Sequence, residues 1–155
     1  PCAGLGMVLA LYCDVRIAAQ DAVFTTSFSR RGLIAEYGIA WTLPRLVGPS
    51  LAADLLLSAR RVNADEALRI GLVSQVVPVG ELLGAARAYA KDLADNVSPR
   101  SMRVMKRQIW ESLAQRLGDA NAMAEEEMKG SFGAADFKEG VAHFLEKRPA
   151  RFTGR

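Results

Sequence analysis

Residues 4–14, Gly4-Leu5-Gly6-Met7-Val8-Leu9-Ala10-Leu11-Tyr12-Cys13-Asp14, place a glycine-rich turn directly before a run of strong helix formers. That order reads as a loop opening a buried helix. The first N–H groups of a helix lack partners and carry the positive end of its dipole. Such a turn can therefore hold an oxygen that gains negative charge during a reaction. Gly4 and Gly6 would let a ligand approach the backbone closely, although on spacing alone tight helix–helix packing is the simpler account of the pair.

Outward from this turn, Val15–Ala19 and Val23–Thr26 read as two short strands, and Leu72–Val77 as a third. A short helix is predicted over Ile39–Leu46, where Pro44 fits only near an end or at a kink, and Gly48 stops it. Ser50 is the expected cap of a helix running to Ser58. Asn63 and Glu66 form a capping-box-like pair for Ala64–Ile70. Glu81–Asn96 is alanine-rich and helical. Ser98-Pro99 starts an amphipathic helix to Leu117, with Met102, Met105, Ile109 and Leu113 on its apolar stripe. Further helices are expected over Asn121–Ser131 and from an Asp136/Glu139 capping pair to Lys147.

The chain has 155 residues, half of them hydrophobic and 24% charged, which suits a packed domain and excludes wholesale disorder. No apolar run is long enough to span a membrane, and no basic leader precedes residues 3–13. Two cysteines and one histidine give too few ligands for a metal pattern. These features lead us to expect a cytoplasmic protein without metal. A net charge of +3 suits an anionic ligand and falls short of a nucleic-acid signature.

Three groups are candidates for chemistry. Glu36, among apolar neighbours in Leu33-Ile34-Ala35-Glu36-Tyr37-Gly38, could transfer protons if desolvated; read by itself it is more simply a solvated loop carboxylate. The basic tail Lys147, Arg148, Arg151 and Arg155 could meet phosphates or lie in solvent. His143 has no triad-like neighbours and reads as structural. Met102, Met105, Met123 and Met128 read as core.

Taken together, Ala3-Gly4-Leu5-Gly6, Cys13-Asp14, Ile17-Ala18, Phe24, Gly32-Leu33, Gly38 and Leu43-Pro44-Arg45-Leu46-Val47-Gly48 resemble the crotonase, or enoyl-CoA hydratase/isomerase, superfamily. Ala64 to Gly71-Leu72-Val73, Ser98-Pro99 with Lys106, and Asp136 to Glu146-Lys147-Arg148 follow in the same order. The resemblance implies an α/β fold, the crotonase (ClpP-like) spiral of ββα repeats. It implies a partial core over residues 1–97, with the oxyanion-hole turn and the acid–base segment, and a C-terminal helical oligomerisation region over 98–155. Family members carry on the order of 100 further residues before this point, so the chain is expected to be an N-terminally truncated portion.

Carried over position by position, the resemblance puts one oxyanion donor on the Leu5 N–H, flanked by Gly4 and Gly6. The two carboxylates of family hydratases fall on Val8 and Phe28, which cannot move protons. Glu36 matches the single acid of an isomerase-like Gly-Leu-x-x-(Glu/Asp)-x-Gly segment. A related branch acting on aromatic or epoxide acyl-CoA thioesters carries an acid at the same place. The first expectation is therefore Δ3,Δ2-enoyl-CoA isomerisation through a stabilised enolate. The alternatives are an enoyl-CoA hydratase on an unusual acyl-CoA and an inactive acyl-CoA-binding fragment. Coenzyme A would be part of the substrate and no separate cofactor is implied. Lys147 and Arg148 become candidates for meeting CoA phosphates. A homo-trimer or hexamer is expected of the complete protein, with no nucleic acid and no membrane as partner.

Overall fold

A computed structural model describes all residues from Pro1 to Arg155. The chain divides into two compact units, residues 1–86 and 87–155. The first unit holds five strands, β1 (Cys2–Ala3), β2 (Ile17–Ala19), β3 (Val23–Thr25), β4 (Val62–Asn63) and β5 (Gln75–Val77). They form two small sheets. β1 runs parallel to β3, with Cys2 opposite Phe24, and β4 is antiparallel to β3, with Val62 opposite Phe24. β2 runs parallel to β5, with Ala18 opposite Val76. Parallel neighbours require crossovers, and helices supply them. α1 (Leu5–Leu11) lies between β1 and β2. α2 (Ile39–Val47) and α3 (Pro49–Ser58) lie between β3 and β4, and α4 (Ala64–Arg69) between β4 and β5.

The core of this unit gathers Met7, Val8 and Leu11 from α1, Phe24 and Phe28, Ile39 and Leu43 from α2, Leu55 from α3, and Leu72 and Val73. Most of these residues are aliphatic, so the layers interlock by shape rather than by aromatic stacking. Pro44 lies inside α2, four residues before Gly48, whose amide closes on the Pro44 carbonyl at 2.9 Å.

Several elements depart from the sequence reading. The two-residue strands β1 and β4 are additional. The predicted strand over Leu72–Val77 begins only at Gln75, because the Leu72 and Val73 amides turn back to the Ala67 carbonyl at 2.8 and 3.2 Å. Ser50 is not a cap: α3 starts at Pro49 with Gly48 as its N-cap, a position proline fits because its missing N–H is not needed there. The Asn63 cap is present, its side chain accepting from the Glu66 amide at 2.8 Å. The Glu66 carboxylate, however, pairs with Arg60 instead of closing a reciprocal box.

α5 (Leu82–Asn96) contains the boundary between the units. The second unit is helical, with α6 (Pro99–Ser112), α7 (Leu117–Phe132) and α8 (Ala135–Glu146). Ser98 caps α6, accepting from the Ser101 amide at 3.1 Å. None of the unit's hydrophobic side chains is fully buried. Met105 and Met128, expected in a core, are 59% and 50% exposed, and Ile109 is 64% exposed. No layer within this unit covers that stripe.

The expected Asp136/Glu139 capping pair is also replaced. α8 starts at Ala135, with Ala134 as its N-cap, and Asp136 lies inside its first turn. The Asp136 carboxylate is buried and accepts from the Ser98 hydroxyl at 2.5 Å and from the Thr153 and Gly154 amides at 2.7 and 3.1 Å. Burial raises this carboxyl, but these hydrogen bonds outweigh it and hold the group below its ordinary value. The backbone of the C-terminal tail is thus tied to α8, while the Arg151 and Arg155 side chains stay exposed. His143 fits its structural reading, packing edge-on against Phe152 with ring centres 5.8 Å apart.

Candidate active site

The turn before α1 is built by Gly4, whose φ of 52° and ψ of −124° lie where residues with a side chain rarely go. Its amide donates to the Thr25 carbonyl at 3.1 Å, fixing the turn against β3. Its carbonyl receives the Val8 amide at 3.1 Å and so starts the helix. The Leu5, Gly6 and Met7 amides come before any intrahelical partner and have no acceptor within the chain. Leu5 is about half exposed. Tight packing does not explain Gly6, since an added Cβ would meet nothing within 4 Å.

Val8 and Phe28 are buried in the core at 1% and 5% exposure. Neither supplies a titratable group to the surface next to the turn. Phe28 follows Ser27, which has a positive φ of 62°, and precedes a single 3₁₀ turn over Ser29–Arg31.

Glu36 lies in the non-helical segment leading into α2 and is half-buried. Its side chain has no hydrogen bond or ion pair within the chain. Its backbone, by contrast, is held. The Glu36 carbonyl accepts from the Ile39 amide at 3.1 Å, and the Gly38 carbonyl accepts from the Trp41 amide at 2.9 Å. Between them, the Tyr37 carbonyl accepts from the Tyr12 hydroxyl at 2.7 Å. Tyr37 and Gly38 are both left-handed, with φ of 51° and 76°. Tyr12 belongs to this site and carries no sequence signal for it, because its partner is 25 residues away.

The first unit therefore contains the Leu5 amide, Gly4, Gly6 and Glu36, with α1 connecting the turn to the contact that holds the Glu36 segment. Lys147 and Arg148 belong to the second unit. Lys147 is exposed and left-handed, with φ of 54°, at the end of α8. Arg148 is already engaged: its guanidinium donates to both Glu139 oxygens at 2.6 and 2.8 Å and to Glu146 at 2.6 Å. No group of three or more His, Cys, Asp or Glu side chains converges as a metal site would require. No helix is long and apolar enough to cross a membrane.

Comparison with known proteins gives this arrangement its context. The profile of the family described as enoyl-CoA hydratase/isomerase matches residues 1–155. A protein of Rhodobacter capsulatus, described as a probable enoyl-CoA hydratase, is 42% identical over 154 residues, covering 99% of this chain and 59% of its own length. The crotonyl-CoA hydratase of Syntrophomonas wolfei is 38% identical over 152 residues, covering 98% of this chain and 58% of its own. A crystal structure of a probable enoyl-CoA hydratase/isomerase from Mycobacterium abscessus superposes with a TM-score of 0.95 at 35% identity. It covers 99% of this chain and 60% of that one. The chain thus spans about three-fifths of the length of the relatives it matches. The whole-chain profile match and the superposition place it in an enzyme family: the chain belongs to the enoyl-CoA hydratase/isomerase family and has the crotonase fold.

Proposed function

We propose that the whole protein transfers protons on an enoyl-CoA thioester, with Glu36 as its acid–base residue and the Leu5 amide as one donor to the thioester oxygen. The observation that carries this reading is the unpartnered, half-buried Glu36 carboxylate in the unit that also holds the unsatisfied amides of the α1 turn. A carboxylate without a fixed cation is free to accept and return a proton. A preset amide costs no reorganisation when the thioester oxygen becomes an enolate, and loss of one such donor typically costs about 100- to 1,000-fold in rate.

Two products can follow from that enolate. In hydration, Glu36 takes a proton from a water that adds at C3 of a 2-enoyl-CoA, and the proton returns at C2. The relatives named as hydratases support this outcome, and it takes precedence over the isomerisation expected from the sequence. In isomerisation, Glu36 removes a proton from C2 of a 3-enoyl-CoA and returns it at C4. Buried, apolar Val8 and Phe28 favour this second reading, because the resemblance puts the hydratase carboxylates there. Both outcomes need the same residue. In the whole protein Glu36→Gln should lower turnover at least about 100-fold. Product analysis separates the two: a 3-hydroxyacyl-CoA from a 2-enoyl-CoA marks hydration, and a 2-enoyl-CoA from a 3-enoyl-CoA marks isomerisation. Full activity of Glu36→Gln on both substrates sinks the assignment, and tight CoA-ester binding without turnover supports a non-catalytic protein.

The same reading takes coenzyme A as part of the substrate and residues 98–155 as an oligomerisation region. The exposed Met105, Ile109 and Leu113 support self-association into a trimer or hexamer. Lys147 is the better of the two basic candidates for a CoA phosphate, since Arg148 is neutralised by two carboxylates.

A further inference from the structure

Tyr12 closes α1 as its C-cap, and its hydroxyl reaches the carbonyl of Tyr37, the residue directly after Glu36. Three successive carbonyls, those of Glu36, Tyr37 and Gly38, are bonded. The outer two are held by amides of the adjoining helix α2, and such local bonds follow from the helix itself. The middle one is held from a different element. It is the one hydrogen bond that these three carbonyls receive from outside α2.

The geometry is close as well as directional. A Cβ added at Gly38 would sit 2.7 Å from the Tyr12 hydroxyl oxygen. Gly38 thus provides both the left-handed φ of 76° and the space through which the hydroxyl passes. The left-handed Tyr37 beside it, a conformation that costs a residue with a side chain, is held in part by this bond. Tyr12 also lies on the helix whose first residue is Leu5. A seven-residue helix is a rigid strut of about 10 Å, so its two ends have a fixed spacing.

We propose that Tyr12 is a positioning residue for Glu36. Through the Tyr37 carbonyl it locks the peptide that carries the carboxylate to the same helix that presents the Leu5 amide. The inference rests on the reading of Glu36 as the acid–base residue. A small misplacement of such a group lowers rate more than affinity, because alignment matters most in the transition state.

The test uses the whole protein with whichever enoyl-CoA it turns over. Tyr12→Phe keeps the ring and removes only the donor. It should lower kcat about 10-fold and leave KM within about twofold. In a Glu36→Asp background, where the carboxylate is already displaced, Tyr12→Phe should cost much less than about 10-fold, giving a coupled cycle. Gly38→Ala, which displaces the hydroxyl from the other side, should reproduce the selective loss in kcat. An unchanged kcat in Tyr12→Phe, or equal losses in the unsubstituted and Glu36→Asp backgrounds, overturns the inference while Glu36 keeps its role. Full turnover by Glu36→Gln removes the acid–base reading itself, and the positioning role with it.

Discussion

Gly4 and Lys147 both have a positive φ, and their ψ values and surroundings give it different meanings. At Gly4 the φ of 52° comes with a ψ of −124°, a combination open to glycine and strained for other residues. Space is not the constraint, since an added Cβ would meet only the Thr26 carbonyl oxygen at 3.9 Å. Gly4→Ala should therefore cost about 1–3 kcal/mol through the backbone alone, read as a lower denaturant midpoint with an unchanged slope. At Lys147 the left-handed residue simply ends α8, its amide closing on the His143 carbonyl. The role of Glu36 also belongs to this scale. Its identity is visible in the sequence, but its lack of a partner is visible only once every cation has been placed.

Among the elements, α4 and α6 show how far local chemistry reaches. Asn63 and Ser98 cap helices as their neighbours predict, because each bond spans only three residues. Asn63→Ala should cost about 1 kcal/mol, measured by chemical unfolding, since the Glu66 amide loses its acceptor. α8 shows where local pattern misleads. Asp136 and Glu139 have capping-box spacing, yet Asp136 is drawn to Ser98 and the tail, and Glu139 to Arg148. Two charged hydrogen bonds to Arg148 outweigh one helix-end bond in water, and their donor comes from beyond the helix.

Across the whole molecule, the two units differ in what holds them. The first has a continuous aliphatic core, and the second relies on polar ties around Asp136 and Glu139. The Arg148 guanidinium pulls the Glu139 carboxyl down from 4.5 to about 2, against burial and with help from the Arg151 amide. A carboxyl depressed by folding contributes stability above its ordinary value, and that contribution disappears as pH falls through the folded one. The melting temperature should therefore drop between about pH 4.5 and 2, and Glu139→Gln should flatten that acid slope. An equally steep slope in Glu139→Gln would show that the tie to Arg148 does not couple to folding. The sequence by itself determined that helices form in these stretches, the Asn63 and Ser98 caps and the Gly48 stop, because those bonds join residues within about four positions of each other. It also carried the family resemblance and the candidacy of Leu5 and Glu36. Only the tertiary structure decided that Cys2–Ala3 and Val62–Asn63 are strands, since each acquires its ladder from β3. It likewise decided that Asp136 anchors the tail, that Met105 and Met128 stay exposed, and that Tyr12 reaches Tyr37. Contacts between residues so far apart depend on chain closure and on which surfaces find a covering layer, and neither is written in the neighbouring residues.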